Sequence, residues 1–292
     1  MATETKTTIT VSASVGALVE KVWECWTSPW HIVRWNQASD DWHTPTAEND
    51  LREGGKFCSR MEAKDGSAGF DFTGTYQRVA PLHELTYTMD DGRLVRVLFE
   101  DMSGHTRVTE TFETERFHSI ELQREGWQAI LDSFKKHTEA LKDTEKLQME
   151  IILDAPPEKV FRLMLDAEKW KEWTSAFNPA SRYEGKWQKG ASIRFLGDGP
   201  DGQTDGMIGH IRDFVAGQVV SIEYTGIVKE GKEITTGPQL EGWAGCLEKY
   251  SFSETEGKTL LVIEMDANRK YLEYFRETWP KALDKLRLIF EA

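Results

Sequence analysis

The sequence predicts an α+β protein of two tandem domains, each an antiparallel sheet covered by one long C-terminal helix. Two observations predict it. A set of motifs occurs twice along the chain, and each copy runs through short strand-like segments and turn signals into a long amphipathic helix. The 292 residues are long enough for two domains of ordinary size. We therefore predict a first domain at residues 1–143 and a second at 144–292.

The repeat is clearest where each copy opens. The segment "VEKVWECWTSPWHIVRWN" has its counterpart in "PEKVFRLMLDAEKWKEWTSAFN", because both begin with Glu-Lys-Val and an aromatic residue and end in an aromatic-Asn pair. A strand-like run precedes each segment, "TTITVSAS" in the first copy and "LQMEIILDA" in the second. Further on, "LREGGKF" matches "WQKGASIRF" as a turn that enters a strand. Two diverged copies of one unit explain these matches.

The middle of each copy predicts strands. In the first copy, the period-2 runs "FDFTGTYQRV", "ELTYTM", "RLVRVLFE" and "TRVTETFE" are separated by turn signals such as "MDDGR" and "DMSGH". Strands joined by such short turns pair antiparallel. We therefore expect a continuous antiparallel sheet in each domain.

Each copy closes with a helix that has one apolar face, at residues 119–141 and 269–292. In the first helix this face carries Ile120, Gln123, Trp127, Ile130, Leu131, Phe134, Thr138 and Leu141. In the second it carries Leu272, Phe275, Trp279, Ala282, Leu283, Leu286 and Phe290. A helix of this kind covers the apolar face of a sheet. Pro280 should either kink the second helix or mark where its main segment begins.

These motifs give the chain a resemblance to known proteins. Residues 6–143 resemble the family named after the C-terminal domain of the Hsp90 ATPase activator, through "VWECWTSPWHIVRWN", the Arg52-x-Gly54-Gly55 turn, "GFDFTGTY", "TETFE" and "GWQAIL". The second copy is similar to the broader superfamily of START-like (Bet v 1-like, SRPBCC) domains. The resemblance implies a helix-grip fold, in which a curved sheet wraps around the C-terminal helix and leaves a cavity. In relatives this cavity holds lipids, sterols, polyketides or plant hormones, and some relatives catalyse cyclisation or hydrolysis there.

Composition excludes several classes of partner. The formal net charge of −13 repels phosphate backbones and anionic headgroups, so we expect neither nucleic acid nor a membrane as partner. Cys25, Cys58 and Cys246 are odd in number and lack the spacing of metal ligands, which indicates reduced cysteines. The first residues have neither the basic nor the apolar region of a signal peptide. We therefore expect a cytoplasmic protein.

Candidate ligand contacts in the first domain belong to the elements that would line its cavity. Trp26 and Trp35 either pack in the core or reach the cavity mouth. Arg96 and Glu110 alternate with apolar residues, so they lie either inside as an ion pair or ligand anchor, or outside in solvent. Gln123 interrupts the apolar helix face, so it either touches solvent or orients a ligand. The predicted contacts are Trp26, Trp35, Met61, Phe72, Tyr76, Arg96, Glu110, Gln123 and Trp127.

The second domain should contain a second cavity, lined by residues of the corresponding elements. His210, between Ile208 and Arg212, poses the same question of inside or outside as Arg96. The predicted contacts of this cavity are Trp173, Phe195, His210, Phe275 and Trp279.

Three functions fit this sequence. The first is binding of a hydrophobic small molecule, such as a lipid, a polyketide or an aromatic compound, because pockets for such ligands are apolar with few polar anchors. The second is an enzyme of the cyclase or hydrolase type, with Glu110, Arg96 or Tyr76 as candidates and no assigned catalytic residue. The third is a co-chaperone-like protein partner bound on the sheet surface. Hydrolase, metalloprotease and phosphate-loop motifs are absent from the sequence, so we expect no cofactor and no metal.

Overall fold

The computed structural model of the chain describes residues 7–240 and 242–291. The chain divides between Lys142 and Asp143 into two compact units. The predicted domains, 1–143 and 144–292, begin and end at residues 1 and 292, which lie outside the described residues. Their folding as independent domains stays a prediction.

The first unit is an antiparallel sheet with its long helix at the C-terminal end. Its strands are β1 (Thr8–Val15), β2 (Trp42–Asn49), β3 (Lys56–Ala63), β4 (Gly69–Ala80), β5 (Glu84–Met89), β6 (Leu94–Asp101) and β7 (Thr106–Glu113). Its helices are α1 (Val19–Thr27), α2 (Pro29–Trp35) and α3 (Ile120–Ala140). The strand order β1-β7-β6-β5-β4-β3-β2 places the first strand beside the last.

The second unit repeats this arrangement. Its strands are β8 (Thr144–Leu153), β9 (Arg182–Gly185), β10 (Ser192–Asp198), β11 (Thr204–Val215), β12 (Val219–Lys229), β13 (Lys232–Ile234), β14 (Leu247–Thr255) and β15 (Lys258–Asn268). Its α-helices are α4 (Pro157–Met164), α5 (Ala167–Thr174) and α6 (Leu272–Glu291). The strand order is β8-β15-β14-β12-β11-β10-β9, with β13 paired to β12. The predicted α+β class with two tandem helix-grip units is confirmed.

Both long helices bury most of the faces that the sequence predicts, but Ile120 at the start of α3 is 44% exposed. Helix α3 begins after Ser119, whose side chain accepts a hydrogen bond from the backbone N–H of Leu122 and so caps the first turn. Leu131 and Phe134 of α3 are fully buried. Helix α6 begins at Leu272 and continues through Pro280, so its main segment does not begin at the proline.

A tight turn before β3 positions part of the cavity wall. Gly54 has a φ of +78°, a conformation that side chains with a Cβ rarely adopt. A Cβ at Gly55 would lie 2.1 Å from the carbonyl oxygen of Asp50. The turn is hydrogen-bonded to β4, because the N–H of Gly54 donates to the carbonyl of Tyr76 at 2.8 Å and the N–H of Tyr76 donates to the carbonyl of Gly55 at 2.9 Å. Both glycines therefore hold Tyr76 in place.

Candidate functional site

The first unit encloses a cavity of about 260 Å³ between its sheet and α3. Eight of the seventeen residues that line it are aromatic. The aromatic contributors are Trp26, Trp35, Phe57, Phe70, Phe72, Tyr76, Tyr87 and Trp127. Such a wall suits a small apolar or aromatic molecule.

The aromatic side chains that line the cavity also pack against one another and against the core. The ring of Trp127 on α3 stacks on Phe112 of β7, with centroids 3.9 Å apart. Trp26 and Trp35 lie 5.3 Å from each other, and both pack edge-on against Phe134. The indole N–H of Trp35 donates to the carbonyl of Cys25 at 2.8 Å. Trp26 and Trp35 therefore serve as core and as cavity wall at once.

Glu110 is a buried carboxyl group in the lining of this cavity. Residues of β7 alternate between the two faces of the sheet, and Glu110 shares the buried face with Val108 and Phe112. It is 5% exposed, and the hydroxyl of Tyr87 donates to its Oε1 at 3.4 Å. Burial raises the pKa of Glu110 from 4.5 to about 8. The carboxyl group is therefore largely protonated at neutral pH.

A second polar group lines the cavity on β2 and β4. The hydroxyl of Tyr76 donates to Asn49 Oδ1 at 2.9 Å, and Asn49 Nδ2 donates to the carbonyl of Thr27 at 2.6 Å. Burial raises the pKa of Tyr76 to about 12. Tyr76 thus keeps its proton throughout the physiological range and acts as a fixed hydrogen-bonding group.

Seven of the predicted contacts lie around this cavity. They are Trp26, Trp35, Met61, Phe72, Tyr76, Glu110 and Trp127. Their contact with a ligand remains a prediction.

Arg96 lies outside the cavity, which corrects its predicted position. On β6 the buried face is formed by Val95 and Val97, so Arg96 projects from the opposite face. There its guanidinium donates to both carboxylate oxygens of Glu84, at 3.1 and 3.0 Å. This pairing on the solvent side holds the pKa of Glu84 below its usual value.

Gln123 also lies outside the cavity lining. It is 8% exposed, but its amide is bonded within the protein. Nε2 donates to the carbonyls of Glu115 and His118, at 3.3 and 3.0 Å, and Oε1 accepts from the N–H of Glu115 at 3.0 Å. These three hydrogen bonds connect Gln123 to the backbone of the segment that precedes α3. The amide therefore stabilises that segment.

Ten lining residues were not among the predicted contacts, and Tyr87 and Phe57 are two of them. Tyr87 of β5 donates to Glu110, and Phe57 of β3 packs edge-on against Tyr87 with centroids 4.9 Å apart. The alternation in "ELTYTM" places Tyr87 on the same face as Leu85 and Met89, all of which are buried. That pattern could have identified Tyr87 from the sequence.

The second unit contains a larger cavity, of about 650 Å³. Four of its predicted contacts line it, namely Trp173, Phe195, Phe275 and Trp279. His210 is exposed, which corrects its predicted position. A register shift between Ile208 and Gly209 breaks the alternation of β11, so that Ile208 points inward and His210 outward.

A buried carboxyl group also faces the second cavity. Glu248 is 7% exposed and accepts hydrogen bonds from the hydroxyls of Tyr224, at 2.7 Å, and Tyr250. Burial raises the pKa of Glu248, while the two tyrosine donors act in the opposite direction. In each unit, a buried carboxyl group that accepts a hydrogen bond from a tyrosine thus lines an aromatic cavity.

Three potential metal ligands, one each on α1, α2 and α3, meet outside these cavities. Donor atoms of Cys25, His31 and His137 all lie within 4.8 Å of one another. The guanidinium of Arg34 is 2.9 Å from His31 Nδ1, and burial raises the pKa of the Cys25 thiol to about 12. The positive charge of the neighbouring guanidinium disfavours a metal cation at this position.

No helix among the described residues combines the length and the apolar character needed to cross a membrane.

Comparison with known proteins places both units in one family. The family model for the Activator of Hsp90 ATPase homolog 1-like protein matches residues 17–139 and again residues 154–291. No match to a curated protein was found.

Solved structures of single units and of two-unit proteins are similar to this chain. An AHSA1-like protein from Aeromonas hydrophila is 50% identical over 46% of this chain and 93% of its own, with a TM-score of 0.44. A protein from Cytophaga hutchinsonii is 50% identical over 45% of this chain and 91% of its own, with a TM-score of 0.41. A di-domain ARO/CYC protein from the steffimycin biosynthetic pathway is 14% identical over 97% of this chain and 98% of its own, with a TM-score of 0.49.

Proposed function

The chain belongs to the family of Activator of Hsp90 ATPase homolog 1-like proteins, and from this premise we propose that its first unit binds an aromatic small molecule that carries a hydrogen-bond acceptor. Membership of a fold family does not identify a ligand, which depends on the residues of the cavity itself. The observation that carries it is Glu110, a buried carboxyl group inside an aromatic wall.

The wall favours a planar aromatic ligand. Phe72, Trp127 and Phe57 present rings from different elements, and Trp127 is fixed by its stack on Phe112. Ring faces and edges in such an arrangement pack well against another aromatic ring. The cavity volume of about 260 Å³ limits the ligand to a few fused rings.

Glu110 favours a ligand that carries a hydrogen-bond acceptor. With its pKa raised to about 8, the protonated carboxyl carries an O–H donor at neutral pH. The hydrogen bond that it accepts from Tyr87 is long at 3.4 Å. A ligand carbonyl oxygen would accept a shorter hydrogen bond and satisfy the buried donor.

The proposal is tested with a matched pair of ligands, 9-fluorenone and fluorene, which differ by one carbonyl oxygen. Binding is measured by quenching of tryptophan fluorescence at neutral pH. We expect fluorenone to bind roughly 3–10 times more tightly, as one added hydrogen bond predicts. This preference should fade as the pH rises through about 8, because the ionised Glu110 no longer donates.

Two variants assign the effect to Glu110. Glu110→Leu should abolish the preference for fluorenone, since leucine has no donor. Glu110→Gln should keep the preference and remove its pH dependence, since the amide donates at every pH. A preference that survives in Glu110→Leu would reject Glu110 as the anchor, and failure of both compounds to bind would reject the cavity as an aromatic-ligand site.

Acid–base catalysis of the cyclase or hydrolase type is a second candidate, favoured by the same carboxyl group. A pKa of about 8 is close to the value at which a general acid works best near neutral pH. If a bound ligand is converted, Glu110→Gln should bind it and fail to turn it over. Mass spectrometry of the ligand after incubation with each protein separates binding from catalysis.

A further inference from the structure

Six aromatic side chains that line the cavity of the second unit form a chain in which each ring packs against the next. In the order of these contacts they are Tyr224, Phe195, Trp170, Trp173, Trp279 and Tyr250. Successive ring centroids lie 6.2, 5.3, 4.8, 6.2 and 6.4 Å apart. Glu248 joins the two ends, because its carboxyl group accepts hydrogen bonds from both Tyr224 and Tyr250.

The charged groups facing this cavity are mostly acidic. Within the part of the chain that the structure describes, Asp205, Glu248 and Asp266 line it together with one amine, that of Lys229. Among the residues that the structure describes, Glu248 forms its hydrogen bonds with tyrosines and no ion pair with a lysine, arginine or histidine. A carboxylate at this position therefore has no ion pair with the described side chains.

We propose that this cavity is a binding site for a hydrophobic quaternary ammonium ion. Aromatic ring faces attract cations, and several rings around one cation add their effects. Glu248 would supply the opposite charge. Its two oxygens already accept tyrosine hydrogen bonds, so they suit a cation that has no N–H to donate. The volume of about 650 Å³ leaves room for apolar substituents on the nitrogen.

Binding of such a cation should be coupled to loss of a proton. Burial raises the pKa of Glu248, and a cation beside it would favour the ionised form. Tyr224 and Tyr250 keep their protons, since burial and the nearby carboxyl raise their pKa well above the usual value. We therefore expect affinity to rise with pH until Glu248 is ionised in the free protein.

The test compares benzyltrimethylammonium with neopentylbenzene, in which a carbon atom replaces the charged nitrogen and the shape is kept. Binding to the full-length protein is measured by equilibrium dialysis. We expect the ammonium ion to bind roughly tenfold more tightly, as cation–aromatic attraction in a desolvated site predicts. This comparison on the unmodified protein needs no variant, so it stands even if a variant fails to fold.

Variants then place the site. Glu248→Gln should lower affinity for the ammonium ion roughly tenfold and leave neopentylbenzene unchanged, because the amide keeps the shape and loses the charge. Glu254→Gln, an exposed position on the same strand, is the matched control and should change neither. Equal binding of the two compounds, no binding of the ammonium ion, or full ammonium affinity in a folded Glu248→Gln protein would each overturn the proposal. The ligand proposed for the first unit does not enter this test.

Discussion

Glu110 is protonated at neutral pH, whereas a glutamate side chain in water is ionised at that pH. Its neighbours on the buried face of β7 are Val108 and Phe112, and its hydrogen-bond donor is Tyr87. Removing a carboxylate from water without a cationic partner costs several kcal/mol, so the group keeps its proton instead. The raised pKa is thus a direct consequence of which face of one strand the residue occupies.

This pKa makes the stability of the first unit depend on pH. The folded-state pKa of about 8 lies above the ordinary value of 4.5, so the folded protein holds the extra proton between these values. Stability is then greatest at the acidic end of this window, falls as the pH rises through it, and levels off above about 8. We expect Glu110→Gln to remove this decline, which corresponds to roughly 2–5 kcal/mol.

The measurement is urea unfolding of each protein at several pH values, followed by hydrogen-exchange mass spectrometry on peptides from β5 to β7. These peptides report on the first unit alone. Glu53→Gln changes an exposed carboxyl group and serves as the control. Parallel pH profiles for the parent and Glu110→Gln would show that Glu110 is ionised in the folded state, contrary to the prediction.

Arg96 and Glu110 differ in how far the sequence predicts which face of the sheet a residue occupies. Both interrupt apolar runs. Apolar residues occupy both phases of β6, so the sequence leaves the buried phase around Arg96 open, whereas in β7 Val108 and Phe112 share the phase of Glu110. The buried phase is set by strand register, which pairs Arg96 with Thr86 and Thr111 and brings it beside Glu84 on the outer face. Gln123 is similar, because its partners at residues 115 and 118 come from a segment without periodicity.

Among the elements, the turn that ends at Gly55 has the tightest backbone constraint near the first cavity. An added Cβ at Gly55 would lie 2.1 Å from a backbone oxygen, so the turn would have to open. We expect Gly55→Ala to destabilise the first unit by about 1–3 kcal/mol and to weaken binding in the cavity, because the turn holds Tyr76.

Gly126 on α3 provides the contrast. A Cβ there would meet no heavy atom within 4 Å, so Gly126→Ala should stabilise the helix by up to about 1 kcal/mol. Thermal unfolding of the two variants beside the parent checks both signs at once. A Gly55→Ala protein as stable as the parent would mean that the turn relaxes freely.

The elements themselves were well predicted, since their signals are local. Alternation and turn residues located β4 to β7 to within a few residues, and the apolar faces located α3 and α6. The irregularity in β11 was not predicted, because a β-bulge leaves the alternating residue types unchanged while it shifts one residue to the other face. His210 was misplaced for that reason.

At the scale of the whole chain, we predict that the two units fold independently. Fragments 1–142 and 143–292 should each express in soluble form and unfold cooperatively, because each contains its own sheet and covering helix. Circular dichroism and calorimetry of the fragments check this. A control cut in the turn at residues 90–92, between β5 and β6, should give unfolded pieces. Fragments that fold only when mixed would contradict the prediction.

The strand positions of the two buried carboxyl groups bear on the descent of the chain. Matching the strand orders pairs β5 with β12, β6 with β14 and β7 with β15. Tyr87 and Tyr224 then occupy corresponding strands, whereas Glu110 lies on β7 and Glu248 on the counterpart of β6. A carboxyl group inherited by both copies would lie on the same strand. At least one buried carboxyl group has therefore been gained or lost since the two copies separated, and the two cavities have followed separate evolutionary histories within one polypeptide.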